Sequence, residues 1–281
     1  MVKVFIPQSL KEALRIRKEE KAIPFAGGTD LMVKRRRWRG LAPYFEKPVL
    51  FLHRVKELTG VKFEEGRVRI GALTSLSEIL ENRDIPLILK YAVAEIASPA
   101  IRNLATIGGN ICNASPAGDT LPPLYVMNAW VVLSSFTSER EVKIMDFIKG
   151  PGFTDLKEDE LLKEIVIPAE FFNIIYYKKV GTRKANSLSK VSFAGVARVD
   201  NGIIKDIRIS LGAVAPTPLR SPEIEEEIIG KNKEKIMHKI PDILEKYTRI
   251  IRPIDDQRST ARYRKAISLK ILEYFLKEEI K

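Results

Sequence analysis

Two glycine doublets, Gly27-Gly28 and Gly108-Gly109, limit what this chain can fold into more than any other feature. Each follows apolar residues and precedes polar ones, Thr29-Asp30 after the first and Asn110 after the second. Glycine lacks a Cβ, so such turns let backbone N–H groups converge on one point. These nests favour phosphate oxygens, the more so where a helix begins. Ala22 to Ala26 reads as a strand and Leu31-Met32-Val33 as the apolar start of a helix, which sets the first doublet in strand, turn, helix order. Two nests would clamp one pyrophosphate. The alternative for either doublet is an ordinary tight turn, since glycine is common punctuation.

The surrounding pattern supplies the frame. Val2 to Ile6 reads as a short strand, and Ser9 caps a helix in which Leu10, Ala13, Leu14 and Arg17 recur at helical spacing. Pro48 to Leu52 adds a strand, so residues 1–55 predict a βαβ-like unit. Val61 to Phe63 and Val68 to Ile70 flank Glu65-Gly66 as a hairpin, Ser75 with Glu78 forms a capping box, and Pro86 to Ala97 is helix-like. Residues 98–123 are dense enough in Gly, Pro, Asn and Ser to predict a long functional loop. Strands at Trp130 to Ser134 and Leu161 to Ile167 close a second unit, 56–170. Strands at 174–180, 191–199 and 203–212 follow, the last two joined by Asn201-Gly202 as a type I′ turn. Helices over 222–229, 233–249 and 256–277 complete a separate α+β domain, 171–281.

Composition removes several function classes. A chain of 281 residues, 45% hydrophobic and 30% charged, suits about two domains with proper cores. No apolar run approaches the ~20 residues of a membrane helix, and Met1 to Ile6 lacks a secretory h-region, which predicts a cytoplasmic protein. A single cysteine, Cys112, excludes an internal disulfide, a CxxC pair and an iron–sulfur cluster ligated by this chain alone. His53 and His238 are too few for a zinc site, so no metal site is expected. The formal charge of +12 keeps open a nucleic-acid-binding or assembly protein that uses its positive surface. Gln8 and Gln257 are the only glutamines among abundant Lys, Glu, Arg and Ile, a thermophile-like bias. G-x-G-x-x-G after a strand, the P-loop and the G-x-S-x-G elbow are all absent. No carboxylate pair is singled out as acid and base, and no catalytic residue is expected.

Residues 24–31, PFAGGTDL, and 105–124, ATIGGNICNASPAGDTLPPL, resemble the two FAD-binding segments of the flavoprotein (medium) subunit of molybdenum hydroxylases, the carbon monoxide dehydrogenase, aldehyde oxidoreductase and xanthine dehydrogenase group. Residues 176–198 and 255–272 resemble the C-terminal part of the same subunit. The resemblance implies an α+β protein: a vanillyl-alcohol-oxidase (PCMH) type FAD-binding fold in two subdomains, then a C-terminal domain with a three-stranded antiparallel sheet and helices. It implies FAD on this chain, a molybdopterin cofactor on a large partner subunit and two [2Fe-2S] clusters on a small one, in a heterotrimer that can dimerise. Electrons would pass from the clusters to FAD and on to an external acceptor, with no membrane span and no nucleic acid involved. A stand-alone flavin reductase on the same fold is the alternative among flavoproteins.

Carried over by position, Ala26, Gly27, Gly28, Thr29 and Asp30 form the first FAD segment with Phe25 and Leu31 flanking it, and Thr106, Ile107, Gly108, Gly109 and Asn110 form the second. Asp119 matches an acceptor of cofactor hydrogen bonds; its other reading is a cap for the helix begun by Thr120-Leu121-Pro122. Leu162 matches a position on the adenine side. Lys179 matches a lysine near the flavin, against the alternative of a solvated strand lysine. With Cys112 alone, the cysteine-rich insert of the hydroxybenzoyl-CoA reductase branch is missing. No aromatic residue stands between Gly181 and Ser192, where the carbon monoxide dehydrogenase branch has one; Leu188 occupies that neighbourhood. An aldehyde-type enzyme, with glyceraldehyde as example substrate, is therefore preferred. Lys34-Arg35-Arg36-Arg37 with Arg39 reads as the solvated face of a short helix, and Arg258, Arg262 and Arg264 as facing water or a partner subunit.

Overall fold

Local chemistry sets the first elements of the structure, a computed structural model that describes residues 2–38 and 41–280. Ser9 leaves the first strand in extended conformation and its hydroxyl accepts from the Glu12 N–H at 3.2 Å, which starts the helix Leu10–Glu20. Lys21, in the left-handed region at φ 48°, stops it. The helix buries Ala13, Leu14 and Ile16 against Leu50, Leu52, Val55, Leu58 and Leu161. Beside it lie three parallel strands, β1 (Val4–Phe5), β2 (Ile23–Phe25) and β3 (Val49–Phe51), in the order β1-β3-β2. The helix and the parallel strands follow one another in β, α, β, β order.

A second sheet is antiparallel: β4 (Val61–Glu64), β5 (Arg67–Gly71), β6 (Trp130–Ser134) and β7 (Glu139–Lys143) surround β10 (Leu161–Pro168) in the order β4-β5-β10-β6-β7. A small pair, β8 (Ile148–Gly150) and β9 (Phe153–Thr154), precedes β10. Glu65 at φ 51° and Gly66 at φ 69° make the expected tight turn. Strand β7 escaped the sequence because EREVK holds a single apolar residue; it lies at the sheet edge with one face exposed and the other half-buried. The central β10 reads as the apolar run it is, and a bulge between Leu162 and Glu164 breaks its register with β6.

The dense segment 98–123 is not a long loop. It forms the helices Pro99–Leu104 and Ile107–Asn113 and leads into a third, Leu121–Val126. Ser98 and Thr106 accept from the Ile101 and Gly109 amides, and proline in the first turn of the first and third needs no intrahelical partner. The residues that looked like loop punctuation are the caps of closely spaced short helices.

The chain divides into two units. The first takes in everything up to Ile85, with Ser98–Ala114 and Ala129–Pro168; the second takes in Pro86–Ala97, Ser115–Asn128 and everything from Ala169. The second is built on β11 (Ile174–Val180), β12 (Val191–Asp200), β13 (Ile203–Gly212) and β14 (Leu219–Arg220), antiparallel in that order. The three-stranded expectation thus gains a fourth strand, whose two residues are too few to show periodicity. Asn201 and Gly202, at φ 50° and 73°, form the predicted turn. Helices Lys233–Ile250 and Ala261–Tyr274 cover the sheet with Ile236, Ile240, Ile243, Tyr247 and Leu272 against Phe193, Ile207 and Ile209.

Arg264 corrects the expectation for the last helix. It is 3% exposed, and its guanidinium donates to the carbonyls of Lys190 (2.9 Å) and Ala213 (3.1 Å) and to Asp256 (2.8 Å). Arg262 is exposed, and Arg258 precedes the helix and pairs with Asp256. No helix among the described residues is long and apolar enough to cross a membrane.

Candidate functional site

The two glycine doublets meet in the first unit, around a cavity of about 290 Å³. Ala26, Gly27, Gly28, Thr29, Asp30 and Leu31 line one side; Thr106, Gly108, Gly109 and Asn110 line another, with Leu162 beside them. Phe25 and Ile107 do not reach the cavity. Phe25 stacks on Phe51 with ring centroids 4.4 Å apart, and Ile107 is fully buried in the core.

Close approach explains the glycines. A Cβ on Gly27 would stand 2.6 Å from the carbonyl carbon of Leu104, so only glycine lets the first turn touch the junction between the Pro99–Leu104 and Ile107–Asn113 helices. Gly28 has φ +71°, and a Cβ there would run into the Phe25 ring at 2.7 Å. A Cβ on Gly108 would lie 2.6 Å from Ala72 Cβ and 2.9 Å from Leu162 Cδ2, so this glycine packs the second segment against the sheet. Gly109 differs. Its Cβ would meet the Thr106 hydroxyl at 2.9 Å and point across a gap to Ala26 Cβ at 3.9 Å, between the two turns.

The two turns do not offer equal donors, which corrects the expectation of two nests. In the second, Ile107 donates to Thr74 O, Gly108 to Ala72 O, Gly109 to the Thr106 hydroxyl and Asn110 to Thr106 O. Those amides already have protein acceptors. In the first, the amides of Gly27, Gly28, Thr29, Asp30 and Leu31 have no acceptor among the described residues. Asp30 stands at the start of the short helix Leu31–Lys34 without capping it, so its carboxylate leaves these N–H groups free. Five successive amides without an acceptor among the described residues, in residues that line a cavity, suit an anion.

Charge agrees with the amides. Lys34 donates to the Asn113 side-chain oxygen, linking the helix after the first doublet to the helix that contains the second, and both residues line the cavity. Lys34 is thus part of the site as well as of an exposed basic run; Arg35 and Arg37 lie over the Phe45 and Tyr44 rings, and Arg39 lies outside the described residues. Cys112 also lines the cavity, and burial pushes its thiol up to about 12. Pro24, Leu52, Leu73, Leu156 and Leu161 supply an apolar wall. No group of three or more side chains suited to a metal ion occurs among the described residues.

Asp119 and Lys179 belong to the second unit and are joined to each other. Lys179 Nζ donates to Asp119 Oδ2 and to the Glu95 carbonyl, each at 2.8 Å, and Ser189 Oγ donates to Asp119 Oδ1 at 2.5 Å. The paired side chains are 7% and 6% exposed, so Lys179 is no solvated strand lysine; Lys178 next to it is the exposed one. Asp119 does not cap the Leu121–Val126 helix. Thr120 holds that position in helical conformation, and the carboxylate turns to Lys179 and Ser189. Burial raises the Asp119 pKa above the ordinary carboxylate value, opposed by Lys179 and then by Ser189. The Tyr177 hydroxyl is buried beside Asp119, and burial together with the Asp119 and Glu95 charges pushes its pKa well up.

Comparison with known proteins places this architecture. Residues 1–170 match the family described as the FAD binding domain in molybdopterin dehydrogenase. The chain belongs to that family. Residues 175–279 match the CO dehydrogenase flavoprotein C-terminal domain. Among relatives, the glyceraldehyde dehydrogenase medium chain of Sulfolobus acidocaldarius is 36% identical over 270 residues, covering 94% of this chain and 93% of its own. The nicotinate dehydrogenase FAD-subunit of Eubacterium barkeri is 32% identical over 240 residues, covering 80% and 79%. Among solved structures, a chain of carbon monoxide dehydrogenase from Hydrogenophaga pseudoflava is similar at TM-score 0.88 with 28% identity, over 97% of this chain and 94% of that one. A chain of reconstituted CO dehydrogenase from Oligotropha carboxidovorans reaches TM-score 0.90 at 25% identity, over 100% and 98%.

The chain is therefore an FAD-binding subunit of an oxidoreductase of this family, and the lining of its cavity suits the diphosphate and base of such a cofactor. Free amides suit phosphate oxygens, leucines suit a base, and the glycines leave no Cβ in the way. Sequence reasoning missed Arg17, Lys34, Cys112 and Asn113 as lining residues. Arg17 carried a signal: it is the charged member of an otherwise apolar helical stripe, which marks a side chain reaching a polar interior. The other three gave none, because only the packing of the short helices turns them toward the cavity.

Proposed function

We propose that this protein is the electron-transfer flavoprotein subunit of a multi-subunit molybdenum hydroxylase, acting with a large molybdopterin subunit and a small subunit carrying two [2Fe-2S] clusters. Bound FAD would supply electron exchange between those clusters and an external acceptor. The chain's own residues bind and orient: the Gly27–Leu31 amides hold the diphosphate, Gly108 and Leu162 fix the facing wall, and the apolar side of the cavity excludes water from the base. Thr106, Gly109 and Asn110 shape the second wall rather than donate from it. Asp119 and Lys179 hold together the polar interior of the second unit and are read as the flavin-side pair. The observation that carries this reading is the run of five free amides on a cavity with no room for a Cβ at Gly27, Gly28 or Gly108.

An aldehyde such as glyceraldehyde is the substrate class of the whole enzyme in this reading, supported by the identity to the glyceraldehyde dehydrogenase medium chain and by the missing aromatic residue between Gly181 and Ser192. A heterotrimer in the cytoplasm, and the division into 1–55, 56–170 and 171–281, go with it. The test is a visible absorption spectrum of the protein purified alone and with its partner subunits, with the released cofactor identified by mass. Stoichiometric FAD, and aldehyde-dependent bleaching of the flavin in the assembled enzyme, are expected. A folded chain that refuses added FAD overturns the proposal. Bleaching by a reduced nicotinamide without partners points instead to a stand-alone reductase.

A further inference from the structure

Arg17 lies at the end of the Leu10–Glu20 helix and lines the cavity. Its Nη1 donates to the Ala22 carbonyl at 2.7 Å and its Nε to the Glu160 carbonyl at 3.4 Å; Nη2 has no protein acceptor among the described residues. Both acceptors are neutral, and among the described residues Arg17 forms no ion pair, although the Glu158 and Asp159 charges are felt there. The acid that most opposes burial at this site, Glu158, is already engaged by Lys21 at 3.2 Å and Lys47 at 2.9 Å. Burial lowers the Arg17 pKa, as it does for a cation without an ion-pair partner.

A charge taken out of water without a partner is costly, and native structures compensate it. Here the charges of Glu158 and Asp159 oppose the burial without outweighing it, which leaves a place for a ligand's negative charge. The carbonyls of Ala22 and Glu160 clamp the guanidinium in its plane, so little side-chain freedom remains to be lost when a ligand binds. The cavity it faces also holds Lys34 and the free Gly27–Leu31 amides, against one lining carboxylate, the exposed Asp30. All of these favour an anion.

We propose that Arg17 is a binding residue for the diphosphate of the dinucleotide, its Nη2 meeting the same anion as the Gly27–Leu31 amides. This rests on the FAD reading above and adds the residue that neutralises the ligand's charge. It follows that the first unit recognises the ADP portion of the ligand through charge, so ADP competes with FAD whereas adenosine, lacking phosphates, binds much more weakly.

The experiment measures binding of FAD, ADP and adenosine to the full chain freed of flavin, by calorimetry and by competition against FAD fluorescence, at two salt concentrations. Arg17→Met keeps the side-chain stem and removes the charge. FAD and ADP should weaken roughly 10- to 100-fold, as for loss of one charge-assisted hydrogen bond, and their salt dependence should flatten. Adenosine binding should hold; the thermal midpoint of the flavin-free protein is measured alongside, because the variant also removes the donors to the Ala22 and Glu160 carbonyls. Arg17→Lys should recover part of the ADP affinity. Equal loss for adenosine and ADP would show that the guanidinium serves the base or the local fold, and overturn the proposal. Unchanged ADP binding in Arg17→Met would overturn it directly. If the wild-type chain binds ADP through Arg17 but refuses FAD, the FAD reading fails and the anion site stands; if it binds neither, both fall.

Discussion

Replacing Gly108 by alanine tests whether the second glycine doublet is there for packing rather than for ligand donors. The new Cβ would lie 2.6 Å from Ala72 Cβ, 2.7 Å from Ala72 O and 2.9 Å from Leu162 Cδ2. Ordinary contact begins near 3.4 Å, so the helix or the sheet must give way by about 0.8 Å. The first two obstacles are main chain and a methyl fixed to it, and neither can rotate aside. Overpacking of this kind costs about 1–3 kcal/mol, offset by up to ~1 kcal/mol because alanine suits a helix better than glycine. A net loss of about 1–2 kcal/mol should lower the thermal midpoint of the flavin-free protein by roughly 2–8 °C. Gly109→Ala should behave oppositely. Its Cβ points into the gap toward Ala26, so stability should change little beyond the Thr106 cap while FAD affinity falls by at least tenfold. Circular dichroism melts with flavin fluorescence titrations measure both quantities, and Gly150→Ala, which meets nothing within 4 Å, is the control. Gly108→Ala melting with the wild type, or both variants losing stability and affinity in the same ratio, would refute this division of labour.

Asp119→Asn should change how stability depends on pH. A carboxyl whose folded pKa is raised stabilises the fold fully below its unfolded pKa, and that contribution is lost as pH rises through the folded value. The wild type should therefore lose ground to Asp119→Asn in urea titrations as pH rises from about 4, and a pH-independent difference would contradict the burial argument. Arg264→Met should lower stability by roughly 2–4 kcal/mol in the same assay, because two buried carbonyls and Asp256 lose their donor; a change below 0.5 kcal/mol would restore the reading of Arg264 as a surface group. Cys112 should resist a disulfide reagent at pH 8 in the native protein and react at once in denaturant, since its thiol is pushed up to about 12; fast native labelling would mean the cavity wall opens readily.

The legible parts of this structure are those where one short stretch settles its own geometry. Ser9 and Ser75 announced their helices, Glu65-Gly66 and Asn201-Gly202 their hairpins, and β12 and β13 their strands. The misread parts are those where local chemistry is ambiguous. Residues 98–123 carry residues that end helices and residues that begin them, and only the spacing of caps tells short helices from a loop. Strand β7 has a single apolar residue to show. Arg264 read as facing water or a partner subunit because sequence does not reveal which face of an element is covered.

Sequence by itself determined the family, the two glycine segments and their cofactor class, because a tight turn without Cβ atoms is a property of a few consecutive residues. Tertiary structure alone decided which turn offers its amides. The second doublet looks as open as the first in sequence, yet Ala72 O, Thr74 O and Thr106 supply acceptors for its N–H groups, two of them from residues more than thirty positions away. The same holds for the charge at the cavity. Arg17, Lys34, Asn113 and Leu162 are scattered along the chain, and only packing the short helices on the two small sheets brings them to one anion site. Hydrogen-bond partners and the removal of water are set by neighbours in space, and those neighbours exist only once the chain has folded.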